Sequence, residues 1–275
     1  MIYRIGTRGS KLAMRQAQLV RDRLAAAYRA DSFEIVAIAT RGDVQAHVPL
    51  VDLGGGAFTK EIERALLSRE IDLAVHSMKD LPASLPEGLV LAKAWERDDA
   101  RDALVLGAHL PRTIPGDDPL SSLPLGATVA TGSLRRREFL LRRRPDLNIV
   151  DIRGNVDTRL RKLFSPRPDE CRLDAIVLAA AGLKRLGLGD SIAALLDPKW
   201  MIPAPNQGQL AIELRADDIG LKAMIDRLGD DRAELIAMAE RGFLLASGAS
   251  CREIVAAYAY FENGELKLES FYERR

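Results

Sequence analysis

The sequence predicts an α/β protein with a small α+β unit at its end. Strand-length apolar runs alternate with amphipathic helical stretches along most of the chain. Near the C-terminus an Asn263-Gly264 turn signal sits between two strand-like runs. Composition is ordinary for a packed globular protein, with 47% hydrophobic and 29% charged residues. At roughly 150 residues per domain, the 275 residues suggest two domains, with one or three open.

Taken in order, Met1–Gly6 reads as a short strand reaching a turn. Ser10–Tyr28 places Ala13, Ala17, Val20, Leu24 and Ala27 on one helical face. Phe33–Ala39 is strand-like, and Thr59–Ser68 is a helix burying Ile62, Ala65 and Leu66. Strands follow at Asp72–His76 and Leu89–Ala94. The charged stretch Trp95–Arg101 is then a plausible hinge, and Pro111–Pro124 a loop. Further strands are expected at Thr128–Thr131, Asn148–Ile152 and Ala175–Ala179. Met201–Gly208, broken by Pro203, Pro205 and Gly208, reads as a second crossover before a strand at Gln209–Leu214. The tail gives a helix at Arg232–Leu245 and a hairpin of Ile254–Phe261 with Glu265–Phe271. No internal repeat stands out.

Charge narrows the function classes. Lys plus Arg is 40 against 39 for Asp plus Glu, a net +1, so no whole-molecule field draws the chain to nucleic acid or membrane and any basic site is local. The N-terminus lacks the apolar region of a secretory signal, and no apolar run approaches a membrane span. Two cysteines, Cys171 and Cys251, are expected to be reduced in a cytoplasm. His47, His76 and His109 show no zinc spacing with them, so no metal is expected.

The densest chemical feature is basic: Thr131-Gly132-Ser133-Leu134-Arg135-Arg136-Arg137, then Arg142–Arg144, Arg153-Gly154-Asn155, Arg159 and Arg161. Ser133 can cap a helix whose first turn holds Arg135 and Arg136. Cations there oppose the helix dipole, which an anion at that terminus would explain. Arg142–Arg144 read more simply as a solvated face. Thr7-Arg8-Gly9-Ser10 and Gly54-Gly55-Gly56 are further anion-type loops, but neither matches a nucleotide-binding motif. Ser77-Met78-Lys79-Asp80-Leu81-Pro82 sets a carboxylate beside an ammonium just past a strand, where α/β sheets place ligands.

Together these segments resemble the porphobilinogen deaminase (hydroxymethylbilane synthase) family. The resemblance runs through Ile5–Ser10, Thr40-Arg41-Gly42-Asp43, Phe58-Thr59-Lys60-Glu61, Val75–Pro82, Thr131–Arg136, Arg153–Val156, Thr158-Arg159, Ala181–Gly187, Gln207-Gly208, and Glu240-Arg241 followed by Cys251. It implies two doubly wound, periplasmic-binding-protein-like domains around a cleft plus a small C-terminal α+β domain. The expected division is 1–98 with 204–222 for domain 1, 99–203 for domain 2, and 223–275 for a shortened domain 3. It also implies a transferase that joins four porphobilinogen molecules head to tail, releasing ammonia, to form the linear tetrapyrrole hydroxymethylbilane. Growth starts on a dipyrromethane cofactor attached to Cys251. Asp80, with Lys79, is the implied catalytic pair, Asp80 stabilising a cationic azafulvene-like species. Ser77, Lys79, Thr131, Ser133, Arg135, Arg136, Arg153, Gly154 and Asn155 are implied cofactor contacts. Arg8, Ser10, Gln16, Phe58, Lys60, Arg159, Arg185 and Gln207 are implied substrate contacts. A monomer acting without nucleic acid or membrane is expected.

Physical chemistry fits this reading, because each pyrrole carries two carboxylate arms and guanidinium forks match them. The chain departs from the family pattern at Gly55, where a lysine is usual, and at Ala249-Ser250-Cys251, where the usual pair of glycines is missing. These departures leave open an alternative, a non-catalytic polypyrrole- or anion-binding homologue with impaired cofactor loading. Nucleic-acid binding through Arg135–Arg161 is disfavoured by the near-zero net charge and few aromatics.

Overall fold

Strand β1 (Ile2–Arg8) pairs in parallel with β2 (Ser32–Ile38) on one side and β3 (Leu73–Ser77) on the other. The chain is described by a computed structural model over residues 1–44, 58–111, 118–249 and 253–274. Expectations that fall on Gly54-Gly55-Gly56, on His47, on Cys251 and on much of the Pro111–Pro124 loop lie outside the described residues.

The first sheet has the order β2-β1-β3-β10-β4, with β4 (Leu89–Leu91) at the edge and β10 (Leu210–Arg215) antiparallel to both neighbours. Helix α1 (Lys11–Ala27) covers one face and, as its periodicity predicts, buries Ala17, Val20 and Leu24 against Ile5, Leu73 and Ile212. After the four-residue α2 (Arg41–Val44), α3 (Lys60–Leu67) covers the other face with Ile62, Ala65 and Leu66. Both faces are thus covered, as a doubly wound sheet requires.

The second sheet repeats the plan, although the sequence showed no repeat. Its order is β7 (Asn148–Val150), β6 (Thr128–Ala130), β8 (Ala175–Ala179), β5 (Asp102–Leu106) and β9 (Ala194–Leu195). Strands β6, β7 and β8 run parallel and β5 is antiparallel to its neighbours. Helices α4 (Leu134–Arg143), α5 (Val156–Phe164) and α6 (Ala180–Arg185) flank it. In each lobe the antiparallel strand is the one that enters just after a crossover.

The two crossovers fall where the charged and proline-rich stretches predict, and they touch. Asp98 donates its backbone N–H to the Gly208 carbonyl at 3.1 Å. Gly208 has φ +91, and a Cβ there would lie 2.5 Å from the Asp98 carbonyl oxygen, so no other residue fits without displacing backbone. Arg97 on the first crossover donates from Nη1 to Glu240 Oε1 at 2.7 Å, and Asn206 on the second donates its N–H to Glu240 Oε2.

Glu240 is fully buried and lies on α8 (Asp231–Ser247), which follows α7 (Ile219–Asp226). α8 is capped by Asp230, which accepts from Ala233 N, and ends at Gly248 in the left-handed region. The hairpin β11 (Ile254–Glu262) and β12 (Glu265–Glu273) turns at Asn263 and Gly264, both at positive φ, as the Asn-Gly signal predicts. Phe271 packs edge-on to Phe139 of α4, 5.2 Å between ring centres, and so ties the hairpin to the second lobe. Among the described residues no helix is long and apolar enough to cross a membrane.

Candidate active site

Strand β3 runs straight into a single 3-10 turn, Met78–Asp80, so Lys79 and Asp80 emerge at its carboxyl end. That is the sheet edge at which α/β folds gather ligands. Ser77 is held from α1, whose Gln16 Nε2 donates to its Oγ at 2.8 Å. Met78 is buried beneath, which turns Asp80 outward into a cavity of about 260 Å³ between the lobes.

From the first lobe the cavity is lined by Arg8, Ser10, Gln16, Phe58, Ser77, Lys79 and Asp80. The second lobe contributes Arg136, Gly154, Asn155, Asp157, Arg159 and Arg185. Ser10 caps α1, accepting from Ala13 N at 3.3 Å, and the Arg8 guanidinium lies over the Phe58 ring, 4.0 Å from its centre. Gly154 takes φ +107, and a Cβ there would meet Thr158 Cγ2 at 2.7 Å, so glycine is required at the mouth of α5. Lys11 and Asp157 pair at 3.6 Å, joining the first turns of α1 and α5.

Cations dominate this cavity and crowd one another. Burial, reinforced by Arg136, pushes the Lys79 ammonium down to about 8. Burial and then Arg136 and Arg153 push Arg159 down to about 10. Both shifts mark positive charge held away from water beside other cations, an environment that an anionic ligand would favour.

Part of the anion expected at the start of α4 turns out to be internal. Ser133 caps the helix as predicted, accepting from Arg136 N at 3.4 Å. The side chains of Arg135 and Arg136 then converge on fully buried Asp102, at 2.7 and 2.8 Å. Although burial alone would raise it, the two guanidiniums hold the Asp102 carboxyl well below the usual carboxylate range. Gln207 completes the knot: its Nε2 donates to Asp102 Oδ1 at 2.9 Å, while its Oε1 accepts from Lys79 Nζ at 3.1 Å.

A sequence profile described as "Porphobilinogen deaminase, dipyromethane cofactor binding domain" matches residues 3–223. The chain belongs to the porphobilinogen deaminase family. The porphobilinogen deaminase of Lachnospira eligens is 49% identical over 270 residues, 98% of this chain and 88% of the relative. That of Roseiflexus castenholzii is 48% identical over 265 residues, 96% of this chain and 83% of the relative. Among solved structures, the second substrate binding domain of a putative amino acid ABC transporter from Streptococcus pneumoniae aligns over 89% of this chain and 98% of its own. Its identity is 14% and its TM-score 0.48.

Not every residue assigned by resemblance to the deaminase site reaches the cavity. Arg135 and Gln207 sit behind its wall in the Asp102 knot. Thr131 is buried, with its Oγ1 accepting from Ser133 N at 3.2 Å. Arg153 pairs with Asp151 at 2.7 Å, and Lys60 is exposed at the start of α3, both outside the lining. Cys251 lies outside the described residues. Sequence reasoning missed Asp102 altogether; its signal was a lone carboxylate opening the apolar run Asp102-Ala103-Leu104-Val105-Leu106. It also missed Asp98, which fixes Arg185 at 2.8 Å.

Proposed function

We propose that this deaminase is a hydroxymethylbilane synthase, a transferase that condenses four porphobilinogen molecules head to tail with loss of ammonia. The reading is carried by one observation: Asp80 is an exposed carboxylate in a cavity where Arg8, Lys79, Arg136, Arg159 and Arg185 supply the cations. These residues fit a carboxylate-bearing dipyrromethane, because cationic side chains outnumber carboxylates in the cavity lining and its acetate and propionate arms are anions that guanidinium and ammonium groups bind. When bound, the dipyrromethane supplies the nucleophilic pyrrole on which the chain grows, and in this reading Cys251 is its attachment residue.

Arg136 and Arg159, with Asn155 at the start of α5, would hold carboxylate arms from the second lobe, while Arg8, Ser10 and Lys79 hold them from the first. Asp80 faces the positive charge that develops on a pyrrole as ammonia leaves, and accepts a pyrrole N–H hydrogen bond that strengthens with that charge. Ser133, Thr131, Arg135 and Gln207 act one layer back, setting the position of Arg136 and Lys79.

We read domain 1 as residues 1–98 and 204–222, domain 2 as 99–203 and domain 3 as the remainder. The position of α7 favours moving the last boundary beyond Leu228, since Leu221 and Ile225 pack in the first lobe's core. We also read the protein as a cytoplasmic monomer without a nucleic-acid partner, in keeping with its near-neutral charge.

Intact-protein mass measurement tests the reading. The purified chain is expected to carry a mass excess of two pyrrole units that is absent from Cys251→Ser. A wild type that stays bare after incubation with porphobilinogen or hydroxymethylbilane would favour a binding-only homologue.

Lys79 gives a pH prediction with a definite sign. Its ammonium is lost as pH rises through about 8, so carboxylate binding is expected to weaken between pH 7 and 9. Binding above pH 8 is expected to take up a proton. Calorimetry of porphobilinogen binding to the turnover-deficient Asp80→Asn protein, in buffers of different ionisation enthalpy, reads both effects, with the step at lower pH because Asp80 supports the Lys79 charge, and adding Lys79→Arg should remove it.

A further inference from the structure

A second charged cluster lies beneath the Lys79–Asp80 turn and takes no part in lining the main cavity. Glu213 of β10 is fully buried, and its Oε2 lies 3.2 Å from Nε2 of buried His76. The antiparallel register places Ala211 opposite His76 and Glu213 opposite Ala74, so His76 and Glu213 are diagonal neighbours on one face. His76 is the residue before Ser77, at the entrance to the turn.

Arg241 of α8 grips the exit. Its Nη2 donates to the carbonyls of Pro82 and Ala83 at 2.9 and 2.8 Å. Glu213 is the carboxylate whose charge supports the Arg241 guanidinium against burial. Glu213 Oε1 and Arg241 Nη1 are both buried with no hydrogen-bond partner among the described residues. A carboxylate buried as deeply as Glu213 is costly unless nearby groups answer its charge. Neither Glu213 nor Arg241 is needed to hold a carboxylate in the cavity, and neither lines it.

We propose that Glu213 is a positioning residue for the catalytic turn: its buried carboxylate anchors His76 at the entrance, while Arg241 holds the Pro82 and Ala83 carbonyls at the exit. The segment Ser77–Ala83 is thereby fixed at both ends, with Lys79 and Asp80 between them. The third domain takes part, because Arg241 belongs to the same helix as Glu240. This inference rests on Asp80 being the reacting acid.

Glu213→Gln keeps the shape and removes the charge. The holoprotein is expected to retain its covalent mass excess and a KM for porphobilinogen within about threefold of wild type, while kcat falls roughly 10–100-fold, as for a misplacement of the reacting group. Glu213→Asp should recover part of the loss. His76→Gln and Arg241→Lys should each lower kcat, and adding either to Glu213→Gln should cost little more, because the three act as one unit.

The proposal is overturned if Glu213→Gln keeps kcat within about twofold of wild type. It is equally overturned if the loss tracks the fraction lacking the mass excess or unfolded, or if the single losses multiply in the double variants. Should Glu213→Gln not accumulate as folded protein, His76→Gln and Arg241→Lys decide by the same criteria. An inactive wild type would instead sink the reading of the reaction itself.

Discussion

Asp80→Asn is expected to remove turnover of porphobilinogen by roughly 10²–10³-fold, the scale on which a single preorganised electrostatic partner acts at a reacting centre. The amide keeps the hydrogen-bonding oxygen and the volume of the carboxylate but loses its charge. Asp80 is exposed in the cavity, and the cations that share it are held by other partners or by the cavity wall. No other cavity-lining carboxylate among the described residues sits at the end of β3, since Asp157 lies across the cleft and pairs with Lys11. The substitution should leave folding and the covalent adduct intact, because the exposed side chain makes no hydrogen bond to the fold among the described residues. Steady-state kinetics alongside intact mass separate the two properties. A variant with the adduct and near-normal turnover would remove Asp80 from the centre of the mechanism.

Asp102→Asn is expected to act through stability instead. Asp102 is the fully buried partner of both Arg135 and Arg136. Removing its charge leaves two buried guanidiniums uncompensated, a change worth about 3–5 kcal/mol. The sign with pH follows from the lowered carboxyl. Its stabilisation is fully present above the ordinary aspartate range and is lost as pH falls below it. Wild type and Asp102→Asn should therefore converge in stability only in strong acid, which denaturant unfolding at pH 7 and at low pH can check. Because Arg136 lines the cavity and Lys79 shares Gln207 with Asp102, the variant should also load cofactor poorly.

Local pattern made much of this legible. Strand Ala175–Ala179 is a bare apolar run with no competing reading, and it is found at those bounds. Ser133 declared its cap, and Asn263-Gly264 declared its hairpin. Strand β5 was invisible because its first residue, Asp102, continues the charged stretch before it, and a buried charge looks the same in sequence as a solvated one. Helix α5 was missed for a related reason: five of its nine residues are polar or charged. In the site, the exposed edge of each strand could be read, since loops after strands gather ligands. The layer behind could not. Whether Arg135 points at a ligand or at Asp102 depends on which strand lies next to β8, and that is a property of tertiary topology alone. Glu213 and His76 share the same obscurity, each sitting inside an apolar strand.

The paired crossovers have a mechanical consequence. Two bodies joined at two neighbouring points keep one easy motion, rotation about the line through those points, while twist and sideways slip are resisted. Glu240 binds both crossovers at Arg97 and Asn206. The C-terminal unit is therefore pinned on the rotation axis, where a given angle of opening produces the least displacement. A lengthening product would then be housed by rotation of the two lobes about that line, while the C-terminal unit stays nearly still.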